Sequence, residues 1–225
     1  MMLRILLLTW EYPPRIVGEI AFAVRDLSEG LRKLGVETIV VTLADSSIGL
    51  GLEEDSEDSG KGKEKGKGKG SLQIIRVGNP VGNHIHILTW DMTLMTEFER
   101  VSGDVYYRYH GKIDLVDAHE WLCITAALNL QNSLGLPFVF SIHSTELQRS
   151  RGAREPLSQS IRSIEAMGLQ EASGVIVRSQ EKKTHLITEY GVPPEKIYVI
   201  DPFRAEEVLR IYSSIATRRM EKPGS

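Results

Sequence analysis

Three stretches of this 225-residue chain gather side chains suited to binding or transforming a polar ligand. The first is Trp10-Glu11-Tyr12-Pro13-Pro14-Arg15-Ile16-Val17-Gly18-Glu19, the second His119-Glu120-Trp121, and the third His143-Ser144-Thr145-Glu146-Leu147-Gln148-Arg149-Ser150-Arg151-Gly152. Gly18 stands where a helix begins. Backbone N–H groups and the helix dipole favour a phosphate there, although a glycine also serves a turn that binds nothing. His119 can hold a hydrogen bond to a reacting group near neutral pH, or end a strand with its ring nitrogens satisfied. His143 can face a ligand beside Ser144, or Ser144 and Thr145 can cap a helix that starts near Glu146.

Composition narrows the chemistry. The chain carries 27 basic and 30 acidic residues, a net charge of −3, which argues against a dedicated nucleic-acid binder. Its single cysteine, Cys123, excludes an internal disulfide framework and a multi-cysteine zinc site, and its apolar neighbours mark an inert core thiol. The N-terminal MMLRILLLTW is followed by Glu11-Tyr12-Pro13-Pro14 rather than by the small residues of a signal-peptide cleavage site. No apolar run reaches the ~18 residues of a membrane span. A soluble cytoplasmic protein is expected.

The elements that must position the three stretches follow from periodicity. Residues 3–9 (LRILLLT) and 36–42 (VETIVVT) read as strands buried on both faces. Between them Ile20, Val24, Leu27, Leu31 and Leu34 recur at helical spacing, so strand, helix and strand form one βαβ unit. A helix–glycine–strand joint recurs at Gly35, Gly135, Gly174 and Gly191. Each glycine can take the left-handed conformation that ends a helix. Residues 114–118 (DLVDA) read as a further strand and 121–134 as a helix, while 85–90 and 105–110 remain ambiguous. The segment 53–71, an acidic block followed by alternating Gly and Lys, offers nothing to bury and is expected to be a disordered surface insertion. It reads as a solvated linker or, alternatively, as a basic lure for an anionic polymer.

These patterns predict an α/β protein: a single Rossmann-like domain with an open, mostly parallel sheet over 1–203, closed by a helix within 204–225. In such a sheet ligands bind beyond the carboxyl ends of the strands, where all three stretches fall. No full G-x-G-x-x-G and no Walker-type phosphate loop occurs, which ranks other nucleotide-binding α/β proteins last.

In order, WEYPPRIVGE, VDAHEW, FSIHSTE and the run ASGVIVRSQEKKTHLITEYGVPPEKIYVI resemble the N-terminal domain of GT-B glycosyltransferases, in particular the glycogen/starch synthase-like group and its archaeal relatives. The resemblance covers most of residues 1–200. It implies two Rossmann-like domains, one holding an α-glucan acceptor and the other a nucleotide-glucose donor, with retaining transfer in the cleft and no metal or further cofactor. His119 matches the histidine associated with the transferring sugar and is the implied catalytic residue. Arg15, Gly18, Glu19, Glu120, Trp121, His143 and Ser144 are the implied substrate-binding positions. Three departures stand out. Glu19 replaces the second glycine of the first loop and sets a carboxylate where donor phosphates should lie. Asp117 replaces the first histidine of a His-x-His pair. Only 22 residues follow Phe203, so the donor-binding domain is expected to come from a separate chain. The alternative is a non-catalytic glucan-binding or regulatory single domain.

Overall fold

The computed structural model describes residues 2–44, 51–54, 70–201 and 204–220. The first apolar run becomes strand β1 (Arg4–Thr9), whose Ile5, Leu6, Leu7 and Leu8 are wholly buried. The later strands are β2 (Glu37–Leu43), β3 (Gly51–Glu54), β4 (Leu72–Val77), β5 (Leu115–His119), β6 (Phe138–Ser141), β7 (Gly174–Val177) and β8 (Ile197–Val199). They form one sheet in the order β3-β4-β2-β1-β5-β6-β7-β8. Seven strands run parallel and only the edge strand β3 runs antiparallel, against β4.

Successive side chains of a strand point to opposite faces. Leu6 and Leu8 therefore enter one core layer and Ile5 and Leu7 the other. The first layer is covered by α2 (Ile87–Arg108), α3 (Ile124–Leu134), α5 (Pro156–Glu171) and α6 (Gln180–Tyr190). The second is covered by α1 (Ile20–Lys33) and α7 (Ala205–Met220). A single turn, α4 (Glu146–Arg149), follows β6.

Helix α1 buries Val24, Leu27 and Leu31 as its spacing predicts, but Leu34 lies past the helix end and is exposed. Gly35, Gly135 and Gly191 hold positive φ at helix ends, as the joint pattern requires. Gly174 does not. It opens β7, and a Cβ there would stand 3.1 Å from Ile215 and 3.2 Å from Tyr198, so close packing is the reason for that glycine. The ambiguous stretches 85–90 and 105–110 contain the two ends of one 22-residue helix, α2, whose buried Leu94, Phe98, Val101 and Val105 carry its periodicity. Strand β4, beside the low-complexity segment, went unrecognised in the sequence. Of the segment expected to be unstructured, Glu53 and Glu54 belong to β3 and the Gly70 N–H donates to the Arg32 carbonyl at 3.0 Å. Residues 55–69 lie outside the described residues.

Helix α7 sets Val208, Ile211, Tyr212 and Ile215 into the layer it shares with α1. A Cβ on Gly30 would stand 2.6 Å from the Ala205 Cβ, a backbone approach that only glycine allows. Gly30→Ala should therefore lose about 1–2 kcal/mol, since overpacking outweighs the ~1 kcal/mol of helix propensity gained. Chemical denaturation checks this, and adding Ala205→Gly should recover much of the loss.

Candidate active site

Strand order reverses between β1 and β5, where α1 leads outward to β2 and the later chain returns to the other side. The crevice at that switch point, beyond the carboxyl ends, is where an open parallel sheet takes its ligand. The loops after β1, β5, β6 and β7 meet along this edge.

The first loop is organised by Glu11, a residue that motif reading passed over. Its carboxylate is buried and accepts the N–H groups of Val17 and Gly18, each at 2.7 Å. The Thr9 hydroxyl donates to the Glu11 carbonyl at 2.9 Å. From β4, the buried Arg76 donates to the Pro13 carbonyl at 2.7 Å and so pins the turn. The Gly18 amide, expected to approach a phosphate, is thus already occupied by an anion of the chain itself. Glu19 is exposed at the start of α1 and its side chain makes no cap hydrogen bond. Arg15 is half-buried, its guanidinium 5.6 Å from the centre of the Trp10 ring.

At the end of β5, His119 is wholly buried. Its Nδ1 lies 3.2 Å from His143 Nε2, and its Nε2 lies 3.2 Å from Asp117 Oδ2. Asp117, also without exposed surface, accepts the Ser141 hydroxyl at 2.8 Å and the hydroxyl of Tyr212 on α7. His119 therefore touches neighbouring side chains, while His143, half-buried, stands between it and the loop surface.

Glu120 adopts φ 69°, ψ 164°, a region that side chains other than glycine rarely occupy. Its buried carboxylate accepts the N–H groups of His143 at 2.6 Å and Ser144 at 3.0 Å, and its other oxygen meets Arg149 at 3.2 Å. Arg149 also donates to the Ser144 carbonyl and hydroxyl and, at 2.8 Å, to the buried Glu165. Thr145, not Ser144, caps α4, accepting the Gln148 N–H at 3.3 Å. Lys182 of α6 donates to the His143 carbonyl.

The network brings together His119, Glu120, His143 and Ser144. Trp121 is placed differently: it packs in an apolar cluster with Leu122 and Ile161, Trp10 and Trp90 alongside. Besides Glu11, the sequence reading missed Arg149, Glu165 and Lys182. Arg149 lies inside the third stretch, where its side chain carried no separate signal, and Glu165 lies beyond it, so only the fold brings the two together. Lys182 lies inside a quoted run whose individual side chains carried no separate signal.

Electrostatics follow from burial. Desolvation raises the Glu120 carboxyl to about 6 even though Arg149 and two amides oppose the shift. Desolvation, with His119 and Lys182 close by, holds the His143 imidazole well below its usual value, so it is neutral at pH 7. Burial pushes the Cys123 thiol up, which makes it unreactive. Asp91 on α2 is buried, neither oxygen has a hydrogen-bond partner among the described residues, and desolvation lifts it to about 8. Among the described residues no group of three or more His, Cys, Asp or Glu side chains is arranged to hold a metal. No helix among them is long and apolar enough to cross a membrane. Grooves of about 330 Å³ between α2 and α3 and about 500 Å³ between α3 and α5 are not lined by the loops of the carboxyl edge.

The sequence profile described as Glycosyltransferase Family 4 matches residues 20–204. An uncharacterised glycosyltransferase of Methanocaldococcus jannaschii is 32% identical over 198 residues, which cover 88% of this chain and 45% of that protein. A glycogen synthase of Mycobacterium tuberculosis is 24% identical, covering 88% and 47%. Among solved structures, sucrose-phosphate synthase from Thermosynechococcus elongatus superposes with a TM-score of 0.65 at 16% identity, over 88% of this chain and 47% of that one. The last likeness shows the fold. The chain spans about half the length of the curated relatives it matches.

Two of the buried carboxyls set a pH dependence of stability. Asp91 and Glu120 bind protons more tightly folded than unfolded, so the stability they contribute is present in acid and lost as pH rises through about 6 and then about 8. Unfolding free energy measured in urea should fall across this window. Asp91→Asn should remove the upper part of the decline and be about 1–3 kcal/mol more stable than the native chain at high pH, with no difference at low pH. An unchanged profile in the variant would place the dependence elsewhere.

Proposed function

Since the chain belongs to glycosyltransferase family 4, matched over residues 20–204, we propose that it is the acceptor-side half of a glycogen/starch synthase-like enzyme. It works on an α-glucan and requires a separate donor-binding domain to transfer glucose, with retention, from a nucleotide sugar. The observation that carries this reading is the joining of the β5 and β6 loops at the sheet's switch point. The Glu120 carboxylate and Arg149 hold His143 and Ser144 together at the carboxyl edge, beside the first loop. Ile16 and Val17 of that loop and Ile85 after β4 are exposed apolar residues along this edge, which supports its being covered by another body.

His143, Ser144 and Arg149 offer hydrogen bonds to sugar hydroxyls. His119 orients His143 from behind rather than touching sugar itself, and Glu120 keeps the two loops in register. The residues of this chain bind and position; the contacts that stabilise charge on the leaving nucleotide belong to the donor half, so the chain alone lacks much of what stabilises a transition state.

A second reading, a glucan-binding or regulatory domain without catalysis, is favoured by the first loop. There Glu11 fills the amide pair and Glu19 adds an exposed carboxylate. The two readings separate by experiment. The chain is co-purified with a candidate donor-domain chain and assayed for glucose transfer from nucleotide-glucose to glycogen. Transfer that falls about 10²-fold in His143→Ala supports the first reading. Retardation in glycogen-containing gels without transfer under any pairing supports the second. In the paired protein, Glu19→Gly should tighten nucleotide-sugar binding about fivefold, the effect of removing about 1 kcal/mol of repulsion in a hydrated site. Unchanged binding would contradict the charge argument.

A further inference from the structure

We propose that α6 clamps the candidate site: Tyr190, acting through Glu165, is a positioning residue for Arg149, and Lys182 and His185 hold the loop that carries it. Helix α6 belongs to the longest of the four stretches that carry the family resemblance. Lys182, His185 and Tyr190 fall three and five residues apart, which sets them on one side of the helix. Each makes a separate link. Lys182 donates to the His143 carbonyl. His185 Nε2 lies 2.9 Å from Thr145 Oγ1, the oxygen that caps α4. The Tyr190 hydroxyl donates to Glu165 Oε2 at 2.6 Å.

The Tyr190 link matters through what Glu165 holds. The other oxygen of that carboxylate accepts the Glu146 N–H at 2.7 Å and Arg149 Nη2 at 2.8 Å. Three carboxylates surround the Arg149 guanidinium. Glu165 lies closest, at 2.8 Å against 3.2 Å for Glu120 and 3.3 Å for Glu146, and it alone has no exposed surface. A charge-assisted hydrogen bond of this kind fixes geometry as well as adding energy. A buried carboxylate oxygen left without a donor is costly, so the arrangement needs a partner for Oε2. Tyr190 is that partner. Burial, with Glu165 alongside, pushes its hydroxyl ionisation up, so it keeps the proton it donates.

The side chain of Arg149 remains 30% exposed. The line Tyr190–Glu165–Arg149 therefore runs through a wholly buried carboxylate to an accessible guanidinium, and it joins the end of α6 to α4 by way of α5. No link depends on which nitrogen of His185 carries its proton. The consequence for an acceptor, a guanidinium held ready for sugar hydroxyls, rests on the function proposed above; the clamp does not.

The test is NMR of the ¹⁵N-labelled full chain, read at the Glu146 amide and the Arg149 Nε–Hε group. Tyr190→Phe should speed exchange of the Glu146 amide about tenfold, the effect of leaving one hydrogen bond to a buried carboxylate unmade. The Arg149 signal should shift with it. Amides of Leu6 and Leu7 in the central strand should keep their rates, and Tyr198→Phe, on β8, should move neither reporter. Glu165→Leu should release Arg149 further, while Glu165→Gln, whose side-chain oxygen still accepts, should restore part of the protection. A folded Tyr190→Phe variant with both reporters unchanged overturns the proposal. So does faster exchange spread equally over the central strand, which would make Tyr190 a general support of the fold. With a donor chain that gives transfer, Tyr190→Phe should raise KM for glycogen about fivefold with little change in kcat. A released Arg149 with unchanged KM overturns the positioning role. A released Arg149 with no glucose transfer under any pairing would uphold the clamp and leave the function reading as the one that failed.

Discussion

The carboxylate of Glu120 is the constraint on which the candidate site depends. Two backbone amides and a guanidinium converge on it from the β6 loop and α4, so the ends of two neighbouring strands are joined by side-chain chemistry as well as by the ladder. The backbone of Glu120 is held where only glycine rests easily, at a cost of about 1–3 kcal/mol. Glycine would relieve that cost and lose the carboxylate, leaving the amides of His143 and Ser144 to find other partners and Arg149 without one of its counter-charges. Strain and charge are therefore two sides of one arrangement.

Around that joint the strand period decides what each residue does. In β5, Val116 and Ala118 join the layer under α2 and α3, whereas Leu115 joins the layer under α1 and α7. Asp117 and His119 share the face of Leu115, and this brings Tyr212 within reach of Asp117. A shift of register by one residue would send both polar groups into the opposite layer. The buried polar line and the helix that covers it are consistent with each other only in the observed register.

Much of this fold was legible because buried parallel strands and amphipathic helices announce themselves over short windows. Strands β1 and β2, helix α1 and the three left-handed glycines needed only local patterns. Strand β4 and helix α2 were obscured by their neighbours. One abuts a low-complexity segment, and the other ends in the aromatic-rich run 105–110, which masks the spacing of Leu94, Phe98, Val101 and Val105. The site was legible only as a set of loops. His119 and His143 were named from their stretches, but their contact joins residues 24 apart, and Arg149 reaches Glu165 across another 16. Such pairs exist only after the sheet has formed. Glu11 is the instructive miss, since it sits inside the first motif. A carboxylate beside a glycine turn reads as a surface charge until the turn folds back and sets two amides on it.

The first loop also shows how the two function readings differ in physical terms. A nest of amides can be completed by a ligand's anion or by the protein's own. Here Glu11 completes it with a buried carboxylate, which fixes the loop without a ligand and leaves the Val17 and Gly18 amides engaged. A donor phosphate near this loop would have to bind beside a filled nest, with the Glu19 carboxylate also at hand.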